Sequence, residues 1–235
     1  MNKIDDMLEV AEKEGVDFKE NHSEGHIYKD FEEFIIGQDH PCIMAKTVFS
    51  MDKVNLNIYK NLGNIEFTKK LYSDLKTYIE NYDFESNDFE TFIAVFPETV
   101  NLNEFEFEEQ LWLQLQRINS IDEYDWDTQV SSNPQEENFS FSIAGRSFYV
   151  VGLHPNSSRK ARRAPFTGIA FNLHWQFEKL REMGTYQRVR DAIRGRDKEL
   201  QGSINPMLED FGTHSEARQY SGRKVEKDWE CPFKH

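Results

Sequence analysis

The stretch FSFSIAGRSFYVVGL, residues 139–153, carries the strongest fold signal in the chain. Phe139, Phe141 and Ile143 alternate with Ser140, Ser142 and Ala144. Gly145–Arg146 interrupts them, and Phe148, Val150 and Leu153 resume the apolar pattern. A period of two puts successive side chains on opposite faces of a strand. Two such runs around a glycine break read as a β-hairpin. The apolar face of that hairpin must be covered, and helices elsewhere in the chain are the available cover.

Downstream, GIAFNL (168–173) reads as another strand. Trp175–Met183 and Tyr186–Ile193 suit two helices divided at Gly184, with Thr185 placed to cap the second. After Gly195, turn residues run to the carboxyl end. Upstream, TFIAVF (91–96) is a buried strand ended by Pro97. Ile65, Leu71, Leu75 and Ile79 recur at helical spacing over 64–80, with Asn64 as cap. Residues 102–119 form a second helix capped by Asn103, its early glutamates matched to the positive end of the dipole. Residues 122–138 are polar and read as an exposed loop. Residues 28–36 look helical with Gly37 as the stop, and 2–14 suit a short helix. Residues 41–51 fit strand or helix, and Pro41 at a first helical position favours a helix start. The mixture predicts a single α+β domain over 1–235, a small, mostly antiparallel sheet with helices packed on it, and a flexible lead over 1–25. The helices at 64–80 and 102–119 are the nearest cover for the hairpin's apolar face.

The formal net charge of -14 hides a division at residue 140. Residues 1–140 hold 11 basic and 31 acidic residues, whereas 141–235 hold 17 basic and 11 acidic. An acidic chain is a poor bulk partner for nucleic acid or anionic membrane, yet the basic segment suits a compact anionic ligand. No 18-residue apolar run and no apolar signal segment is visible, and two cysteines are too few for a disulfide framework. The reading is a cytoplasmic protein with reduced thiols. P-loop, dinucleotide-fingerprint and zincin motifs are absent from the sequence.

Residues 152–163, GLHPNSSRKARR, put Arg159, Lys160, Arg162 and Arg163 beside His154 and two serines. Guanidinium groups and hydroxyls at a strand's end suit carboxylates or phosphates, although a charge run is usually a solvated face. His22 and His26 are four apart, but no third ligand is evident. His154 and His174 each end a strand, where sites are commonly built. Both cysteines adjoin a proline, in HPCIMAK (40–46) and WECPF (229–233). Were Cys42 in the first turn of a helix, the dipole would favour its thiolate, the form that ligates iron. A buried, inert thiol is the plainer reading of each cysteine.

The string FSIAGRSFYVVGLHPNSSRKARR resembles the YqcI/YcgG family, as do FNLHWQFEKLR, IRGRDKELQGSINPMLEDFG, SEARQYSGR and WECPF. The resemblance is dense from about 139 to 233, and PCIMAK extends it upstream. It implies a haem-dependent oxygenase that N-hydroxylates a guanidino compound such as arginine or an arginine derivative, using haem b, O₂ and an external electron donor. On that expectation Arg159, Arg162, Arg163, Arg218 and Arg223 would pair with haem propionates. The axial-ligand candidates rank Cys42, His154, then Cys231 and His174. A guanidinium substrate needs a carboxylate, and Glu178, Asp210 and Glu216 are the candidates. Trp175, Phe177, Phe211 and Trp229 would line an apolar slot. The alternative is a non-catalytic protein that holds haem or another anionic metabolite.

Overall fold

A computed structural model describes residues 23–207 and 212–235. The helix read at 2–14, residues 1–22 of the flexible lead read over 1–25, His22, Asp210 and Phe211 lie outside the described residues, while residues 23–25 begin a helix.

The sheet has five strands, β1 (Val54–Ile58), β2 (Thr91–Val95), β3 (Phe141–Ile143), β4 (Arg146–Leu153) and β5 (Gly168–Leu173). Their order is β1-β2-β5-β4-β3. Only β1 and β2 pair in parallel; the other neighbours are antiparallel. The hairpin read from residues 139–153 is β3–β4, with Phe141 opposite Phe148. Ala144 and Gly145 turn it at φ of 49° and 74°, the double left-handed geometry that matches strand twist. β1 is not evident in the sequence, because VNLNI is short and two of its five residues are asparagine.

Helices cover both faces of the sheet. On one side lie α3 (Ile65–Asn81) and α4 (Glu104–Ile121). Asn64 caps α3 through the Glu66 amide, and Asn103 with Glu106 forms a capping box on α4. Leu71 and Leu75 of α3 and Phe107, Leu111 and Leu115 of α4 pack with Phe92, Phe148 and Phe171 of the sheet. Full burial of each such side chain contributes roughly 1.5–3 kcal/mol. We call this the closed face; it is the cover expected from the hairpin's pattern.

On the other side lie α1 (Glu24–Glu32), continued as a π-helical turn over Glu33–Gly37, α2 (Ile43–Ser50), α5 (His174–Glu182) and α6 (Tyr186–Gln201). Ile27, Phe31, Val48 and Phe49 pack there against Ile93, Val95 and Ala170. A short α7 (Ala217–Tyr220) lies against β4.

Four local readings change. Residue Gly195 does not end its helix: α6 runs to Gln201 and stops at Gly202, whose φ of 82° is the left-handed C-terminal turn. Thr185 does not cap α6, because its hydroxyl donates back to the Leu180 carbonyl. Pro41 precedes the cap of α2, and Cys42 itself is the N-cap. Residues 122–138 are not merely exposed: Asp122 accepts the Ala144 amide at 2.7 Å, and Asp127 accepts the Ser147 amide and hydroxyl at 2.9 and 2.8 Å. These carboxylates satisfy backbone donors around the β3–β4 hairpin that would otherwise be left unpaired.

Candidate functional site

The two sheet faces differ in what the alternating residues leave behind. Toward the closed face β4 and β5 send Phe148, Val150, Ile169 and Phe171. Toward the other face they send Tyr149, Val151, Ala170 and Asn172, which are smaller or more polar. The helices there do not meet the sheet everywhere, and a cavity of about 300 Å³ remains. That is the low end of the range for small-molecule sites, about 300–1,000 Å³. Its floor is Thr91, Ile93, Tyr149, Val151, Ala170 and Asn172. Its walls are apolar residues of α1, α2, α5 and α6, among them Phe31, Val48, Phe177, Leu180 and Ile193.

Polar groups converge at one end. Cys42 caps α2, its Sγ accepting the Ala45 amide at 3.4 Å. Burial pushes its thiol up, while the amides at the helix start and the Arg162 guanidinium pull the other way. The expected thiolate is therefore corrected: without a partner the group stays a thiol, because desolvation of the charged form outweighs the dipole. His40 accepts the Cys42 amide on Nδ1 at 3.2 Å and meets the Ala161 carbonyl through Nε2 at 2.9 Å. An accepting Nδ1 requires the proton on Nε2, so His40 is a neutral brace between α2 and the basic loop. Burial holds it down to about 4.

The basic loop is largely not a solvated face. Arg159 is buried and pairs with Asp197 of α6 at 2.5 Å, also donating to the Ser203 hydroxyl and carbonyl at 3.2 and 3.0 Å. Arg162 is buried and donates to the carbonyls of Gly152, Gln219 and Tyr220 at 3.1, 3.3 and 3.5 Å. It has no carboxylate within ion-pair distance among the described residues. Burial pulls its pKa down, and neighbours including Tyr149 and Asp197 oppose that. A buried guanidinium held by carbonyl dipoles and the Tyr149 hydroxyl, with no carboxylate within ion-pair distance among the described residues, leaves a net positive end in the cavity.

Glu216, just ahead of α7, is a buried carboxyl that lines the same cavity. Its Oε1 accepts the Ser140 hydroxyl at 2.8 Å and the Tyr220 hydroxyl at 2.5 Å. Burial pushes it up to about 8 despite those hydrogen bonds. His174, which opens α5, also lines the cavity and is held down to about 4 by burial and Arg181, so its imidazole is neutral.

The candidates from sequence thus divide by face. Cys42, Arg159, Arg162, His174 and Glu216 meet at the cavity. His154 is buried beyond it, stacked on Phe107 of the closed face at 4.4 Å between ring centres. Cys231 sits in the closed-face core, its thiol pushed up to about 12 by burial. Arg163 donates to the Ser157 carbonyl, Arg218 to the carbonyls of Trp229 and Glu226, and Arg223 to Glu108 and Glu226. Glu178 is on the outer side of α5 with Arg181. None of these six lines the cavity. Of the aromatic candidates, Phe177 is in its wall, and Trp175 and Trp229 pack against the closed-face core.

Tyr149, Asn172, Gln219, Arg190 and Arg194 are cavity residues that the sequence reading passes over. Asn172 carries a signal, being the polar position of an otherwise apolar strand. Arg190 and Arg194 share the four-residue spacing that puts two side chains on one helix face.

Comparisons with known proteins agree with the resemblance. The YqcI/YcgG family model matches residues 31–234. The uncharacterized protein YqcI of Bacillus subtilis (strain 168) is 26% identical over 207 residues, covering 82% of this chain and 80% of that protein. The uncharacterized protein YcgG of the same strain is 23% identical over 208 residues, covering 83% and 81%. No solved structure matches.

Proposed function

The chain belongs to the YqcI/YcgG family, and from that premise we propose that the cavity is the haem and substrate pocket of an O₂-dependent N-hydroxylase acting on a guanidino compound. One observation carries the reading: the Cys42 thiol at the start of α2, with a buried arginine that lacks a carboxylate partner among the described residues, borders an otherwise apolar cavity.

The donor set fits that group. Among the described residues no three His, Cys, Asp or Glu side chains come together to hold a metal ion. A bare ion needs three or four protein ligands, whereas haem iron needs one axial donor from the protein in an apolar slot. Cys42 would supply the axial sulfur, since coordination deprotonates a thiol outright and the helix start and Arg162 already lean that way. His174 is the second donor of the cavity, already neutral and so in the ligating form. Arg162 would meet a propionate, whose charge it lacks a carboxylate to match. Arg159 is committed to Asp197 and ties the basic loop to α6. When bound, haem supplies the O₂ activation that no side chain can. Phe31, Val48, Phe177 and Leu180 exclude water from the reacting end of the substrate.

Reconstitution with haem tests the reading. The expected result is a Soret band at one haem per chain. Incubation with arginine, O₂ and a reductant, read by mass spectrometry, should then give a product with one added oxygen. A band with no product from a panel of guanidines would replace catalysis by haem carriage, and no band after careful reconstitution would remove the haem reading altogether.

A further inference from the structure

Glu216 is an uncommon group to place in an apolar cavity. It is 3% exposed, and no basic side chain among the described residues pairs with it. Its Oε1 is spent on two hydroxyls, Ser140 and Tyr220. Its Oε2 has no hydrogen bond among the described residues, and Glu216 lines the cavity. Buried polar atoms are normally satisfied within the protein, so an oxygen left open to a cavity points to a donor that arrives from outside.

The surroundings say what kind of donor. Tyr220 and Ser140 both donate to Oε1 and fix the carboxyl's orientation. Tyr149 on β4 gives its hydroxyl to Gln219. Arg181 on α5, whose positive charge acts on Glu216, is already paired with Glu178. Arg162 is turned to backbone carbonyls. Among the described residues no positive charge pairs with a Glu216 carboxylate. Burial instead keeps the group protonated near neutral pH.

We propose that Glu216 is the cation-reading residue of the cavity: a guanidinium or ammonium group on an apolar body docks on Oε2, and the carboxyl proton leaves to solvent in exchange. The charge balances, since a neutral carboxyl and a cation become a carboxylate–cation pair and one proton goes to the buffer. The exchange gives selectivity as well as affinity. A neutral isostere offers no charge to hold the carboxylate, so Glu216 stays protonated and the cation's advantage is lost. The inference rests on the cavity being the ligand site, but not on haem.

Calorimetric titration of the full chain with n-butylguanidinium and with its neutral isostere n-butylurea tests it. The wild type should bind the guanidinium with proton release, seen as a binding heat that changes with the ionisation enthalpy of the buffer. Glu216→Gln should weaken the guanidinium by about tenfold or more, the size of a hydrogen bond to a charged group, and leave n-butylurea unchanged. Equal guanidinium affinity in a folded Glu216→Gln, or no proton release, would overturn the proposal. If that variant fails to fold, the wild type alone decides: guanidinium affinity must rise with pH up to about 8 and level off above it while n-butylurea stays flat, and two flat profiles would overturn it. A chain that takes haem but ignores the guanidinium loses this inference and keeps the proposed cofactor. One that binds the guanidinium without haem does the reverse.

Discussion

The same three strands, β2, β5 and β4, build two unlike surfaces. Toward α3 and α4 they present Phe92, Phe171 and Phe148, each at most 1% exposed and interlocked with Phe107, Leu71 and Leu75. Toward α2, α5 and α6 they present Thr91, Ile93, Ala170, Asn172 and Tyr149, and a cavity remains. Both faces are buried, so burial alone does not distinguish them. Size and polarity of the alternate residues do: large aromatics fill one side, while small and hydrogen-bonding residues leave room on the other. A face that keeps a thiol, a buried arginine and a buried carboxyl around a cavity forgoes the packing energy that the closed face gains.

Substitutions can break this comparison. The largest effect is expected on the closed face, where Phe148→Ala should cost about 3–5 kcal/mol, read as a fall in the denaturant midpoint. Arg223→Ala should cost a similar 3–5 kcal/mol or slightly less, because it strands Glu108, whose Oε2 accepts the Arg223 Nε at 2.8 Å with both side chains nearly buried. Adding Glu108→Gln should recover much of that loss; if it recovers none, the pair is not the cause.

The pH dependence of stability tests the other face, with a smaller effect. Glu216 is raised from 4.5 to about 8 on folding, so its protonated form contributes stability that is complete below pH 4.5 and lost as pH rises to about 8. His40 and His174 are lowered from 6.5 to about 4, so their contribution is present above pH 6.5 and lost as pH falls toward 4. The terms oppose one another between 4.5 and 6.5, and of these three groups only Glu216 still titrates above 6.5. Chemical denaturation should show stability declining from pH 6.5 to 8 by an amount on the order of a few kcal/mol. Glu216→Gln should flatten that decline, and an unchanged slope would contradict the assignment.

The smallest stability effect is expected from Ala170→Leu on the cavity floor. Overpacking a filled core costs about 1–3 kcal/mol, and space in front of Ala170 should hold the cost at or below the lower end. The same change should abolish ligand binding, so a stable variant that still binds would move the site elsewhere.

The sheet was legible because β3, β4 and β5 alternate cleanly and their turns carry glycine. The helices at 65–81 and 104–121 were legible from asparagine caps and helical spacing. β1 was not, since two asparagines dilute its pattern and its pairing with β2 is decided by tertiary contact. The site was half legible. Cys42, Arg159, Arg162, His174 and Glu216 belong to recognisable strings, and the helix start after Pro41 set Cys42 ahead of Cys231, but nothing local told His174 from His154. What separates the two histidines is the sheet face each falls on, and that depends on register across the whole sheet. His154 shows the limit well: it ends a strand beside the basic loop, yet it stacks on Phe107, and neither of its buried ring nitrogens has a hydrogen-bond partner among the described residues. Phase along β4 places it there, three residues past Val151.

The central claim is that the cavity holds haem through Cys42. The ferrous–carbon monoxide absorption spectrum of the reconstituted chain, recorded beside that of Cys42→Ala, tests it most directly. The account predicts a thiolate-type band in the wild type that is lost or shifted in the variant. An identical band in both, or no Soret absorption in either, would contradict it.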